Sequence, residues 1–494
     1  MRNYSSEDPM HKIQNWIDGQ DLDSSEGAWL ENRNPHNDEV INLVTNSTSA
    51  DVDTAVAAAK SAQPEWAGMT PVARGQLLGA IVSEMRNSAR ELANCVAMET
   101  GKPPQDAAGE VGGAILQGDY FAGEGMRLYG RSLTSGMTDK HSHTVRQPRG
   151  VAGLIVPANT PIANIAWKTF PALICGNSVV MKAAEDSPGI ADLFAKITKR
   201  AGLPDGVFNV VHGLGNPAGQ RLVEHQDIDV ISFTGSTQVG RMIAQTAGQR
   251  LARVSVELGG KNPIVVCDDA DLNEAAKWVV LSAFSNAGQR CASGSLIVVF
   301  DTIYDEFREV LLAATAELTL GVHEGASLGP VINRRQQENI FSALELAKEA
   351  GGNILCGGSA PTDSELTAGY YVQPTLVDGL SNDADMVAQE LFGPVASVHR
   401  VHNIQEALDF CNAGSYGLTS AIHTTNVDRA MWFAQRVKAG VANVNMGTYG
   451  SEPHMPFGGF GASGNGTREP GIEALDVYSE LKNISFLVRS NLVT

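Results

Sequence analysis

Basic residues are scarce in this chain: 36 lysines and arginines face 55 aspartates and glutamates, a formal net charge of −19. Nucleic acid and anionic membrane both need basic patches to hold them, so neither is expected as a partner. Long apolar runs are missing too. Nowhere do 18 apolar residues stand together, and Met1–Pro9 has no apolar stretch of the kind a secretory signal requires. Six cysteines are scattered without a CxxC pair, which predicts free thiols in a reducing compartment and a cytoplasmic location. There is no HExxH, and His399-x-x-His402 lacks further ligands nearby, so no metal site is expected. What remains is 43% hydrophobic and 18% charged, the make-up of a globular protein long enough for two or three cores.

From about residue 150 to 260, short apolar runs alternate with helical spacing. Val151–Val156, Ser178–Lys182, Val207–Val211 and Asp229–Phe233 read as strands. Ser187-Pro188 starts one helix and Ser236 another, since serine can accept from free amides and proline suits a first turn. Repeated βα units predict a parallel sheet covered by helices on both faces. The pattern resumes after 261, with strands at Asn262–Cys267, Ser295–Phe300, Tyr371–Leu376, Val395–Val401 and Ser420–Thr424, which predicts a second α/β domain. Leu128–Gln147 and Ile484–Val493 fit neither sheet; the latter reads as a strand without an obvious partner. Unpaired edges tend to be covered, often by another chain, so an arm exchanged between subunits is expected.

Three constellations carry chemistry. The first is Phe233-Thr234-Gly235-Ser236-Thr237-Gln238-Val239-Gly240, at a strand end and helix start, which suits a pyrophosphate; alone it is equally a helix-capped turn. Lys182 and Glu185, just past a strand, suit ribose hydroxyls or a solvated loop. Finally, Gly288-Gln289-Arg290-Cys291 and Glu257-Leu258-Gly259-Gly260-Lys261 offer a thiol and a carboxylate base. Cys175 and Cys267 lie in apolar runs and read as core, whereas Cys291 has small polar neighbours and a cation, Arg290, that would favour its thiolate.

Together these segments resemble the aldehyde dehydrogenase superfamily across nearly the whole chain. The matching pieces, in order, are Pro157-Ala158-Asn159-Thr160-Pro161, Trp167-Lys168, Lys182-Ala183-Ala184-Glu185, the Phe233–Gly240 turn, Glu257–Lys261, Gly288–Cys291, Gln389-Glu390-Leu391-Phe392-Gly393-Pro394, Asn445 and Pro456-Phe457-Gly458-Gly459. The resemblance implies a Rossmann-like NAD-binding domain (1–127 and 149–260), an α/β catalytic domain (261–470) and a small β oligomerisation arm (128–148 and 471–494). It implies a homodimer or homotetramer and an aldehyde substrate. Cys291 would attack the aldehyde, Asn159 and the Cys291 N–H would hold the oxyanion, electrons would pass to NAD(P)+, and Glu257 would activate the water that hydrolyses the thioester. Lys182, Glu185, Gly235, Ser236, Gly240, Leu258, Glu390 and Phe392 would contact the cofactor. Glu185 favours NAD, with NADP the alternative, because a carboxylate there repels a 2′-phosphate. Glu480, paired with Lys168, matches a proton-relay position; a structural ion pair is the other reading.

Several positions depart from the family pattern. Ala158, Thr160, Asn164 and Asn443 are smaller or more polar than the large residues usual there. With Trp167, Arg290 and Phe457 they are expected to shape a roomy, polar tunnel for a small polar aldehyde or semialdehyde, Arg290 meeting an anionic tail. The rivals are a thiol esterase without redox chemistry and a non-catalytic protein on the same scaffold.

Overall fold

The computed structural model describes residues 11–488. Its first large sheet has seven strands in the order Arg253–Glu257, Val230–Thr234, Val151–Ile155, Ser178–Lys182, Phe208–Val211, Asn15–Ile17 and Gln20–Leu22. The first five are parallel and are linked by helices, as the alternating pattern predicts. Residues of Ser178–Lys182 are all buried because both faces are covered. Val179 and Met181 join one core, under helices Pro71–Asn87, Pro104–Glu124, Pro161–Ile174 and Pro188–Arg200, while Val180 joins the other, under Ser49–Gly68 and Thr237–Gly248. The last two strands form an antiparallel hairpin at the edge, turned by Asp18 and Gly19 at positive φ. They were not visible in the hydrophobic pattern.

The second large sheet runs Asn353–Cys356, Thr375–Asp378, Val395–Val401, Gly294–Phe300, Asn262–Val266, Thr419–His423 and Val441–Val444, parallel except for its first strand. The strand expected at Tyr371–Leu376 begins instead at Thr375; Pro374 has no N–H to give a ladder, and Tyr370–Val372 pack as buried coil.

The two segments that fitted neither sheet find each other. Lys140–Pro148 pairs antiparallel with Ser479–Leu487 over nine residues, and Ser132–Leu133 adds a third strand. The terminal strand therefore has a partner inside its own chain; the part of its expected span beyond residue 488 lies outside the described residues. Among the described residues no helix is long and apolar enough to cross a membrane.

In the first sheet the chain reverses its order of strand addition between Val151–Ile155 and Val230–Thr234. Open parallel sheets bind ligands outside the carboxyl ends of their strands at such a point. The segments carrying Asn159 and Gly235 leave the sheet there.

Candidate active site

Cys291 lies in the turn between helix Leu272–Phe284 and strand Gly294–Phe300. Asn286, Ala287 and Gly288 take φ of 55°, 53° and 67°, three successive left-handed residues. For the two that are not glycine this costs about 1–3 kcal/mol each and persists only where surroundings enforce it. Gly288 is obligatory, since a Cβ there would lie 2.1 Å from the Gly393 carbonyl oxygen. The turn is pinned by Asn262, whose amide donates to the carbonyls of Cys291 (2.7 Å) and Ser293 (2.8 Å), and by Thr448 Oγ1, which donates to Ala292 (2.6 Å).

Asn159 is tied to the same turn. Its Nδ2 donates to the Gln289 carbonyl at 2.7 Å, and its own carbonyl accepts from Asn286 Nδ2 at 3.2 Å. A primary amide has two N–H groups, so one orients the side chain and the other is left for a ligand.

Glu257 ends the edge strand Arg253–Glu257 and is buried, with neither carboxylate oxygen holding a hydrogen-bond partner. Burial and then the Glu469 carboxylate push its pKa well above the usual range, against the opposing pull of Lys168 and Arg468. The Cys291 thiol is pushed up to about 12 by burial, Glu390 and Glu257, opposed by the Ala292 N–H and its own. This corrects the expectation that Arg290 favours a thiolate. Its guanidinium is turned away, donating to Ser285 Oγ and lying 4.9 Å from the Tyr449 ring centroid.

Lys168 is almost fully buried and donates to Glu469 Oε2 (2.9 Å) and Ser232 Oγ (2.7 Å). Glu469 Oε1 accepts from Ser232, Ser255 and Tyr478 at 2.8, 3.0 and 3.2 Å. The structure does not bring Glu480 to this cluster. Glu480 is on the terminal strand, its side chain 64% exposed and paired with Arg149 at 2.7 Å. The two glutamates lie 11 positions apart, and only tertiary packing separates their environments; the hint available was that Glu469 stands between Arg468 and Pro470, outside any strand pattern.

At the crevice, Ser236 caps helix Thr237–Gly248 by accepting from Val239 N. The glycines of this turn serve packing: a Cβ on Gly240 would lie 2.3 Å from Leu258, and one on Gly235 2.4 Å from the Phe233 ring. They leave the helix start close to the sheet, where its first amides suit a pyrophosphate. Lys182 and Glu185 pair at 3.0 Å beyond the neighbouring strand. Burial raises the Glu185 carboxyl, but the Lys182 charge and hydrogen bond bring it below its ordinary value. Glu390 Oε1 accepts from Gly260 N (3.0 Å), and burial lifts its pKa to about 7. Phe392, beside it, takes a φ of 55°. This arrangement fits a dinucleotide: amides for phosphates, carboxylates for ribose hydroxyls.

Around the thiol, Trp167, Phe457, Ala292, Leu418, Val441 and Tyr449 form one apolar cluster, Trp167 meeting Phe457 edge-on at 5.5 Å. The expected polar wall is therefore corrected. Asn164 Nδ2 donates to the carbonyl and hydroxyl of Thr160 at 2.9 Å each, and Asn443 donates to the Gly447 carbonyl at 2.6 Å. Those amide donors are taken up by Thr160 and by the main chain. Among the described residues no cluster could hold a metal ion.

A family model described as the aldehyde dehydrogenase family matches residues 22–484. The chain is 38% identical over 473 residues to an alpha-ketoglutaric semialdehyde dehydrogenase of Bacillus subtilis, covering 95% of this chain and 97% of that relative. An alpha-ketoglutarate semialdehyde dehydrogenase of Haloferax volcanii is 36% identical over 472 residues, at 95% and 98% coverage. Among solved structures, a betaine aldehyde dehydrogenase of Staphylococcus aureus in complex with NAD+ matches with a TM-score of 0.94 at 31% identity, over 96% of this chain and 95% of that one. A thiol, an unpartnered carboxylate and a switch-point crevice thus meet in a chain that belongs to the aldehyde dehydrogenase family, enzymes that oxidise aldehydes with NAD(P)+.

Proposed function

We propose that Cys291 is the nucleophile and Glu257 the base in oxidation of a short aldehyde to its acid. The observation that carries this is the buried, hydrogen-bond-free Glu257 carboxylate acting electrostatically on the Cys291 thiol. Cys291 Sγ bonds to the carbonyl carbon, and the thiol proton passes through water to solvent, which leaves the Glu257 carboxylate free for the later step. The negative oxygen is held by the spare Asn159 N–H and the Cys291 main-chain N–H; one such donor is worth about 3–4 kcal/mol in the barrier. NAD(P)+, when bound at the crevice, would supply the two-electron acceptor for oxidation of the adduct to a thioester. Glu257, its pKa raised by burial and by the Glu469 carboxylate, then takes a proton from water as that water attacks the thioester carbon, and returns it to the departing Cys291 sulfur as the acid is released. The Lys168–Glu469 pair sets the field in which Glu257 titrates.

Glu185 supports NAD over NADP, because its ionised carboxylate repels a 2′-phosphate. For the substrate, an apolar collar around the thiol, with Arg290 lying against the Tyr449 ring, supports a short aldehyde whose far end is anionic or hydroxylated. Two of the similar relatives are named for a semialdehyde that carries a carboxylate, which agrees with this. The 128–148 and 471–494 segments read as an oligomerisation arm of a homodimer or homotetramer; exposed Leu481, Phe486 and Leu487 on the terminal strand support that. The rest divides into an NAD-binding domain (1–127 and 149–260) and a catalytic domain (261–470). Six free cysteines support a reducing, cytoplasmic setting.

The test is NADH or NADPH formation at 340 nm across an aldehyde panel. The expected result is highest kcat/KM for short carboxylated or hydroxylated aldehydes with NAD+. A higher value for hexanal or benzaldehyde than for every such compound refutes the substrate class. Ester hydrolysis with no reduction of either dinucleotide refutes the reaction.

A further inference from the structure

The loop carrying Asn159 is gripped on one side by the cysteine turn and on the other by two buried charges. Lys102, just before helix Pro104–Glu124, and Glu110, within that helix, form an ion pair with side chains 4% and 5% exposed. The Lys102 ammonium also donates to the Asn159 main-chain carbonyl at 3.0 Å. The other oxygen of Glu110 accepts from the main-chain N–H groups of Ile162 (3.0 Å) and Ala163 (3.3 Å). These are the first amides of helix Pro161–Ile174 able to donate, because Pro161 has none. Thr160 precedes that helix and gives it no side-chain cap, so a carboxylate from another helix supplies the missing acceptor.

One ion pair therefore holds the chain at Asn159, just before Thr160, and at Ile162 and Ala163, two and three residues after it. A buried ion pair adds little stability over apolar packing of the same volume, so its directional hydrogen bonds are the more informative feature. Here they converge on the residue whose spare amide N–H serves the Cys291 adduct.

We propose that Lys102 and Glu110 are positioning residues for the oxyanion donor, fixing the Asn159 main chain so that its side chain reaches the reacting carbon. This rests on the role given to Asn159 above. Neither residue touches substrate; both act through Asn159.

The test compares Lys102→Met, Glu110→Gln and Asn159→Ala, singly and with each of the first two combined with the third. Each is the full chain, assayed with NAD+ and a short aldehyde, with NAD+ affinity and thermal midpoint measured alongside. Loss of a whole oxyanion donor costs about 100- to 1000-fold in kcat, so a misplaced one is expected to cost about 10- to 100-fold. NAD+ affinity and KM should change by less than about twofold, a split that general loosening of the fold does not give. In the Asn159→Ala background the same substitutions should lower kcat by less than about twofold, since the one donor that they position is already gone. Equal losses in both backgrounds, or wild-type kcat in both single variants, overturn the proposal. Wild-type kcat in Asn159→Ala alone instead overturns the role of Asn159 itself. Should Lys102→Met fail to fold, Glu110→Gln keeps an oxygen for Ile162 and Ala163 and carries the same comparison.

Discussion

Opposite charges flanking Glu257 make the pH dependence of turnover a sensitive probe of the site. Ser255 and Glu257 are two residues apart on one strand, so their side chains share a face with a spacing of about 7 Å. Glu469 is hydrogen-bonded to Ser255 at 3.0 Å, which places its charge at roughly that spacing from the base. With an effective dielectric near 20, a unit charge at about 7 Å is worth about 2.4 kcal/mol, or about 1.7 pH units. Glu257 works as a base only above its folded-state pKa, so the acidic limb of kcat marks that pKa. Glu469 raises it and Lys168 lowers it. Glu469→Gln should therefore move the limb about one to two units toward lower pH, and Lys168→Met should move it by a similar amount upward. The double substitution removes both signs together and should return the limb close to its original place. The assay is kcat against pH under saturating aldehyde and NAD+, with circular dichroism confirming the fold at each pH. Shifts of the same sign in both single variants, or no shift in either, refute Glu257 as the group that sets the limb.

Three other outcomes follow from the site. Cys291→Ala should abolish aldehyde-dependent NADH formation, and retained activity removes the nucleophile from the account. Glu257→Gln should give one NADH per subunit and then stall, because the thioester forms but water is not activated; steady turnover in a stopped-flow trace speaks against that division of labour. Arg290→Gln should raise KM at least about fivefold for carboxylated aldehydes and leave neutral ones nearly unchanged. Equal losses for both classes make Arg290 a structural residue held by Ser285 and Tyr449.

Much of the fold was legible in the sequence because buried parallel strands are short continuous apolar runs, as at Ser178–Lys182 and Asn262–Val266. The motifs around Cys291, Glu257 and Asn159 were legible because each needs particular residue types at fixed local spacing. What the sequence hid was non-local. The pairing of Ser479–Leu487 with Lys140–Pro148 joins segments more than 300 residues apart and leaves no local signature. The edge hairpin at Asn15–Leu22 is too short to show alternation. Arg290 stands next to Cys291 in sequence, yet its side chain turns toward Ser285, so adjacency misjudged the field on the sulfur. The sequence offered Glu480 for Lys168, and only packing sends Glu480 to the surface and Glu469 into the core. Asn164 looked like a tunnel wall until its amide was seen to close on Thr160.

The Lys168–Glu469 contact spans 301 residues of sequence. At a synthesis rate of about 5–20 residues per second, roughly 15–60 seconds pass between the appearance of the lysine and of its carboxylate partner. During that interval the helix carrying Lys168 cannot settle into its final core without stranding a cation there. A growing chain thus carries Lys168 without this carboxylate until the last stretch emerges, and a product terminated before residue 469 is left with an uncompensated cation in its core.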